Sequence, residues 1–182
     1  MSDPRSVLSV GATLGEGPIW DHGRQVLYWI DIMKHELHIY DPVANQDTVV
    51  DVGQAIGTVV IRSSGGLMLA LHHGFAAFDP QTRALTMIND PESHLPDNRF
   101  NDGKCDPAGR FWAGTMAVDP KGDEGALYRL DTDLSVHKML DKISISNGIV
   151  WNLDHTKMYY IDTPTRQVRA YDYDNASGDI GS

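Results

Sequence analysis

The chain has 182 residues, of which 41% are hydrophobic and 22% charged, and its formal net charge is −10 at pH 7. This composition predicts a folded domain with a hydrophobic core and argues against a disordered chain. The acidic balance argues against nucleic acid and anionic membrane surfaces as partners, because binding to phosphate groups relies on clustered Lys and Arg.

Cellular location and redox state are the next properties that the sequence bears on. No apolar run approaches the roughly 18 residues of a transmembrane helix, and the first residues lack the basic-then-apolar layout of a signal peptide. Cys105 is the single cysteine, so no disulfide can form within the chain, and a reducing compartment is favoured. We therefore expect a cytoplasmic protein in which Cys105 is a buried strand residue rather than a nucleophile.

In chain order, the sequence consists of short apolar runs that each follow a turn signal, and no helical periodicity is sustained over about ten residues. The runs are Leu27–Ile30, Leu67–Ala70, Phe111–Gly114 and Met158–Ile161. Each run with its turn reads as a strand–turn–strand unit, so the sequence predicts an all-β protein.

A second marker gives the period of this repeat. An apolar residue followed by Asp closes each unit, and the four aspartates, Asp41, Asp79, Asp131 and Asp172, lie 38, 52 and 41 residues apart. Repeats of roughly 40–50 residues with four short strands are typical of β-propeller blades. We predict one propeller domain over 1–182, with blades at about 10–52, 53–90, 99–142 and 143–182. It is either a four-bladed ring or part of a longer propeller.

Three polar residues occupy matching positions in this repeat. Glu16 and Asn147 each lie 11 residues before an apolar run, Asn101 lies 10 residues before one, and each has a glycine close behind it. Innermost strands line the channel of a propeller, so these side chains should converge at its mouth. A carboxylate with amide oxygens suits a hard cation such as Ca²⁺, Mg²⁺ or Mn²⁺. The alternative is a set of turn residues that bond their own backbone; the common register favours the cation site.

Other charged residues flank Asn101. Arg99 could hold a hydroxylated or carboxylated substrate with its fork of donors, and the alternative is a surface ion pair with Asp97 or Asp102. Asp119 could reach the same mouth or could equally be a solvated loop carboxylate. These residues are therefore candidates for substrate binding beside the predicted cation.

Several of these segments resemble the SMP-30/gluconolactonase/regucalcin-like family, in the family's order and over nearly the whole chain. They are Leu14–Trp20, Leu27–Asp31, Arg99–Lys104, Gly114–Met116, Gly125–Tyr128, Ile145–Gly148 and Tyr159–Asp162. The resemblance implies a six-bladed propeller with one divalent cation (Ca²⁺, Zn²⁺, Mn²⁺ or Mg²⁺) on the axis. It also implies that four blades are present here and that the C-terminal third is missing.

Carried over residue by residue, the resemblance implies that Glu16 and Asn147 are metal ligands and that Arg99 and Asn101 contact the substrate. Asp119 falls near the place where some members have a substrate-binding Glu, which is a weaker correspondence. The family's remaining metal-binding Asp, the expected catalytic base, would lie beyond Ser182.

The predicted function is metal-dependent hydrolysis of a sugar lactone, such as gluconolactone, arabinolactone or xylonolactone, to the aldonic acid. The alternatives are a non-catalytic Ca²⁺-binding propeller of the regucalcin type, an inactive fragment of a lactonase, and a propeller hydrolase of other esters. The expected partner is a small sugar lactone, and self-association could cover the open blade edges.

Overall fold

The computed structural model describes residues 3, 5–119 and 122–181, and their regular structure is β apart from a 3₁₀ turn at Thr163–Thr165. The strands are β1 (Gly15–Asp21), β2 (Val26–Asp31), β3 (Glu36–Asp41), β4 (Gln46–Asp51), β5 (Ile56–Ile61), β6 (Leu67–Leu71), β7 (Gly74–Phe78), β8 (Leu85–Asn89), β9 (Asn98–Cys105), β10 (Phe111–Ala117), β11 (Gly125–Leu130), β12 (Val136–Ile143), β13 (Ser146–Trp151), β14 (Lys157–Asp162), β15 (Gln167–Tyr173) and β16 (Ile180–Gly181). The all-β prediction is confirmed. In the described residues, that 3₁₀ turn is the one helical element, and it is far too short to cross a membrane.

Consecutive strands pair into four antiparallel sheets of four strands each, namely β1–β4, β5–β8, β9–β12 and β13–β16. Each sheet is a simple meander, which is the construction of a propeller blade. The prediction of about four blades is therefore confirmed. Pro120 and Lys121 of the third predicted blade and Ser182 of the fourth lie outside the described residues.

Hairpins between the first two strands of a blade use an Asp or Asn as a side-chain acceptor in three of the four blades. The carboxylate of Asp21 accepts the backbone N–H groups of Gly23 and Arg24 at 2.8 and 2.9 Å. Asp106 and Asn152 do the same in the third and fourth blades. Such side-chain acceptors satisfy turn amides that no strand can pair.

Each blade's first strand contains a β-bulge close to its start. The register shifts between Glu16 and Ile19 in β1, between Ile56 and Thr58 in β5, and between Asn147 and Ile149 in β13. In β9 the register shifts between Phe100 and Gly103, which pair with Thr115 and Ala113 of β10. A bulge increases the local twist and turns side chains out of the regular alternation, so all four inner strands re-aim their residues at the same level.

Three hydrophobic clusters lie between successive blades and hold the array together. The first joins blades one and two, the second joins blades two and three, and the third joins blades three and four. Their members include Tyr28, Ile30 and Leu69, then Phe75, Phe100 and Phe111, then Trp112, Tyr160 and Tyr173. Each large apolar side chain buried in this way contributes about 1.5–3 kcal/mol. One face of the fourth blade is different, because Val150, Tyr159 and Val168 are 36–65% exposed.

Candidate metal and substrate site at the channel

The inner strands β1, β5, β9 and β13 line a cleft of about 710 Å³, and β14 and β15 of the fourth blade complete its wall with Tyr159, Ile161 and Val168. Its polar lining includes Glu16, Thr58, Asp102 and Lys104, and Gly148 contributes backbone. The blades approach very closely here: a Cβ added to Gly57 of β5 would lie 2.4 Å from the carbonyl of Phe100 in β9. Glycine in β5 therefore lets the neighbouring strand come near enough to share one cleft.

Three of the predicted site residues form a continuous hydrogen-bonded chain from β9 to β13. Arg99 Nη1 donates to Asn101 Oδ1 at 2.9 Å, and Asn101 Nδ2 donates to the Ser146 carbonyl at 2.7 Å and to Asn147 Oδ1 at 3.4 Å. Asn147 Nδ2 in turn donates to Thr163 Oγ1 at 2.7 Å. The contacts fix the orientation of both amides and leave Asn147 Oδ1 with only one long contact.

Arg99 is buried, with 9% of its surface exposed, and it has no carboxylate partner among the described residues. Its hydrogen bonds, to the Phe100 carbonyl and to Asn101 Oδ1, both use Nη1. Neither Asp97 nor Asp102 forms the ion pair that was the alternative for this residue. Burial lowers the pKa of the guanidinium from its ordinary value, so the charge lies in surroundings that do not compensate for its lost hydration.

Glu16 lines the same cleft from β1, and its carboxylate makes no hydrogen bond or ion pair with another described residue. It pairs across the strand with Ile30, as Asn147 pairs with Ile161, so the two occupy equivalent places before their bulges. Across the described ranges, no three His, Cys, Asp or Glu side chains converge as a metal site. One carboxylate and one amide oxygen are nevertheless ligands that suit a hard cation, and both have free acceptor capacity.

Asp119 lies elsewhere. It follows β10, is exposed, and does not line the cleft between the inner strands. The structure thus joins Arg99, Asn101 and Asn147 in one hydrogen-bonded network and places Glu16 on the lining of the cleft. The three network residues lie next to that lining without contributing to it, and Asp119 belongs to neither.

Asp102 is a polar residue of the cleft to which the sequence alone assigned only the role of an ion-pair partner. Burial raises the pKa of its carboxyl, against the opposing effects of the Gly103 N–H and of Lys104. The one available signal was its position beside Asn101 in a strand that the repeat already assigned to the channel.

Glu92 is a second residue near the site that the sequence did not indicate. It supports the strand that carries Arg99. It is buried, and its carboxylate accepts hydrogen bonds from Asn98 Nδ2 at 2.9 Å, Thr115 Oγ1 at 3.0 Å and Tyr128 OH at 2.9 Å. Asn98 directly precedes Arg99. A loop carboxylate therefore fastens three strands of the third blade immediately beside the site.

Four meandering sheets, with Glu16 and Asp102 on the lining of the cleft between their inner strands, define a β-propeller with a candidate cation site. The fold agrees with solved propellers: a calcium-binding protein, regucalcin, from Agrobacterium tumefaciens str. C58 matches with a TM-score of 0.92 at 29% identity, covering 97% of this chain and 59% of that one. A luciferin-regenerating enzyme matches with a TM-score of 0.88 at 35% identity, covering 94% of this chain and 59% of that one.

The chain belongs to the SMP-30/Gluconolactonase/LRE-like family, whose model matches residues 14–182. It is 39% identical over 171 residues to YvrE of Bacillus subtilis (strain 168), a protein whose name assigns it only provisionally as a sugar lactone lactonase, covering 94% of this chain. It is 38% identical over 177 residues to regucalcin of Xenopus laevis, again over 94% of this chain. The chain spans 59% of the length of each of these two relatives.

Proposed function

We propose that this protein takes part in the cation-dependent hydrolysis of a sugar lactone to its aldonic acid, at the cleft between the inner strands. The observation that carries the proposal is the buried guanidinium of Arg99, which has no carboxylate partner and is joined through Asn101 to Asn147. Donors for a sugar and oxygen ligands for a cation thus end in one network. Membership of the family supports the reaction class.

Glu16 and Asn147 are the residues that would hold the cation, one through its carboxylate and the other through its amide oxygen. A bound divalent cation supplies Lewis-acid polarisation of a lactone carbonyl. Its identity within the series Ca²⁺, Zn²⁺, Mn²⁺ and Mg²⁺ is left open by this ligand set, although oxygen ligands favour the harder ions.

Arg99 and Asn101 would orient the lactone. The Nε and Nη2 groups of Arg99 donate no hydrogen bond to a described residue, so they are the donors that can reach sugar oxygens. Asp119 is a weaker proposal for a further contact to the substrate. The general base that activates water, and the third oxygen ligand, are proposed to come from an Asp outside residues 1–182, as the family resemblance implies.

The first experiment measures cation binding on this chain by isothermal titration calorimetry with Ca²⁺, Mn²⁺ and Zn²⁺. Glu16→Gln should weaken binding by at least about tenfold, because it removes the one anionic ligand of the proposed pair. Asp154→Asn is the matched control, since Asp154 is an exposed hairpin carboxylate far from the cleft. Equal affinities of the wild type and Glu16→Gln would reject this assignment.

The second experiment measures lactone hydrolysis in a pH-stat with D-gluconolactone, before and after treatment with EDTA. Hydrolysis above the spontaneous rate that disappears with EDTA supports the proposed reaction. Cation binding without any turnover supports instead a binding propeller of the regucalcin kind, or an inactive lactonase fragment. Hydrolysis that survives EDTA at the full rate contradicts the cation's role, and preference for aryl esters would move the protein to another class of hydrolase.

We further propose that the four blades belong to one cytoplasmic propeller domain that further blades or a second copy complete. Val150, Tyr159 and Val168 support this proposal, because these exposed apolar residues border the cleft on the fourth blade's side and a neighbouring blade would cover such a face in a closed ring. Light scattering across a concentration series separates a monomer from a self-associated form.

A further inference from the structure

A second polar cleft, of about 350 Å³, lies where the hairpins of the first two blades meet. It is at the opposite end of the inner strands from the lactone site, because Gly57 lies at the start of β5 and Arg62 directly follows the end of that strand. Arg24 from the first blade and Arg62 from the second both line it, together with Ser64 and Asp79. Two arginines from separate blades thus meet in one cleft of a protein whose net charge is −10.

Arg62 occupies a position where the repeat otherwise has a side-chain acceptor. Asp21, Asp106 and Asn152 each follow the same place in the first strand of their blades and accept the amides of their own turns. Arginine has no acceptor and cannot do this. The hairpin of the second blade therefore lacks the oxygen that the other three supply, and it carries a cation in its place.

The turn that follows Arg62 is left with donors that have no acceptor. Gly65 N donates to the Arg62 carbonyl at 3.0 Å, but neither the amide nor the hydroxyl of Ser64 donates a hydrogen bond to a described residue. Gly65 and Gly66 have φ angles of 92° and 74°, and a Cβ at Gly65 would meet nothing within 4 Å. The Gly65 N–H is therefore already used, whereas the amide and hydroxyl of the exposed Ser64 are open to a dissolved anion.

The guanidinium of Arg24 completes the positive side of the cleft. Arg24 is an exposed lining residue of the cleft, and its charge, after the amide of Gln81, helps to lower the pKa of Asp79 on the same lining. Arg62 forms no ion pair with a described residue. Asp79 is the carboxylate of the cleft, and its Oδ1 is already occupied by the amide of Gln81 at 2.8 Å.

We propose that this cleft binds a phosphate-type oxyanion, which takes the place of the missing turn carboxylate and is held by Arg24, Arg62 and Ser64. Guanidinium forks match the oxygen spacing of phosphate, and the unpaired serine donors supply the remaining contacts. The same chemistry fits free phosphate and the phosphoryl group of a phosphorylated sugar. This site does not depend on the proposed lactone hydrolysis, because no residue is shared between the two clefts.

The test is a ¹H–¹⁵N NMR titration of the 182-residue chain with inorganic phosphate at low ionic strength. Saturable shifts are expected at the amides of Ser64, Gly65 and Gly66. Arg24→Gln and Arg62→Gln should each weaken binding by about tenfold or more, the loss of one charge-assisted contact. Arg62→Lys keeps the charge without the fork and should give an intermediate loss, whereas Asp79→Asn should tighten binding.

Arg169→Gln is the matched control, since Arg169 is an exposed arginine of β15 outside the cleft. A parallel titration with glucose 6-phosphate identifies the source, because tighter binding than inorganic phosphate indicates a phosphorylated sugar and equal binding indicates the free ion. Absence of saturable shifts in the hairpin overturns the proposal. Equal losses in Arg62→Gln and in Arg169→Gln, with spectra otherwise unchanged, would also overturn it, because they indicate only general electrostatic attraction.

Discussion

Arg99 and Arg110 lie at opposite ends of one hairpin in the third blade, and they are buried to almost the same extent, at 9% and 8% exposure. Arg110 donates to Asp106 Oδ2 at 2.6 Å, to Tyr173 OH at 2.7 Å and to the carbonyl of Asn175 at 2.8 Å. Arg99 donates from one nitrogen to a neutral amide and a backbone carbonyl. The first arginine has its partners inside the fold, and the second has donors left for a ligand.

The pKa values of the two arginines, and of the aspartates near them, shift in opposite directions. Burial works against the charged forms of Asp106 and Arg110, yet their hydrogen bonds outweigh it, so the pKa of Asp106 is lowered and that of Arg110 is raised. Around the cleft burial prevails: it lowers the pKa of Arg99 and raises that of Asp102. At one end of the hairpin the buried charges are compensated within the fold, and at the other end they are not, which is typical of functional sites.

Arg110→Met should have the largest effect on stability, a loss of about 3–5 kcal/mol in the free energy of unfolding. The substitution leaves Asp106 buried without its cation and removes the link to the loop after Tyr173. Urea denaturation followed by tryptophan fluorescence measures the change. Arg169→Met is the matched control for an exposed arginine and should change stability by less than about 0.5 kcal/mol. A loss of stability for Arg110→Met that is no larger than the control's would contradict the conclusion that the partners of Arg110 stabilise the fold.

Arg99→Met should change the free energy of unfolding by less than about 1 kcal/mol, in either direction, because it leaves no buried countercharge unpaired. The same urea series measures it. If the chain hydrolyses D-gluconolactone, turnover should fall sharply in this variant while its stability is retained. A destabilisation equal to that of Arg110→Met would show that Arg99 is a structural residue.

The blade organisation could be predicted because turn chemistry and apolar runs are local signals. Asp41 and Asp79, which marked the period, accept the amides of the turns that follow them. The buried cluster of Asp106, Arg110 and Tyr173, called the clamp from here on, could not be predicted from the sequence. Asp-Pro-Ala-Gly is equally typical of a solvated turn. Its partner Tyr173 lies 67 residues further along the chain, and only the packing of two blades brings them together.

The candidate site could be predicted in part because a repeat converts sequence spacing into position around an axis. The register places Glu16 and Asn147 at equivalent points, and Asn101 lies in the bulge between Phe100 and Gly103. Spacing could not show that Arg99 lacks an ion pair, because Asp97 and Asp102 are both close to it in sequence and only the folded chain shows that neither pairs with it. The assignments of Glu16, Asn101 and Asn147 to metal and substrate remain predictions for the titrations above.

Asp102→Asn should make the protein slightly more stable at pH 7, by less than about 1 kcal/mol. The pKa of Asp102 is raised in the fold, so the folded state binds this proton more tightly than the unfolded state does. The ionised carboxylate of Asp102 therefore lowers the free energy of unfolding, and this effect appears as pH rises above the unfolded pKa of about 3.9. Asp106, with its lowered pKa, contributes stability that is lost as pH falls.

Urea midpoints for the wild type and Asp102→Asn, measured from pH 3 to pH 8, test this linkage. The two curves should converge towards the acid end and separate as pH rises. Asp154→Asn is the control, and its curve should run parallel to that of the wild type. A wild type that exceeds Asp102→Asn in stability at pH 7 would mean that the Gly103 N–H and Lys104 outweigh burial.

Cys105 reports on burial through its reactivity rather than through stability, and it lies where the two regions meet. Its side chain lines the cleft, and the next residue, Asp106, belongs to the clamp. Burial, with the adjacent Asp106 charge, raises its pKa from 9.0 to about 11. Because the thiolate is the reacting form, iodoacetamide at pH 8 should alkylate the folded chain about 100-fold more slowly than the chain unfolded in urea. Mass spectrometry of timed, quenched samples gives both rates; equal rates would show that this end of the cleft is hydrated and that burial does not govern its titratable groups.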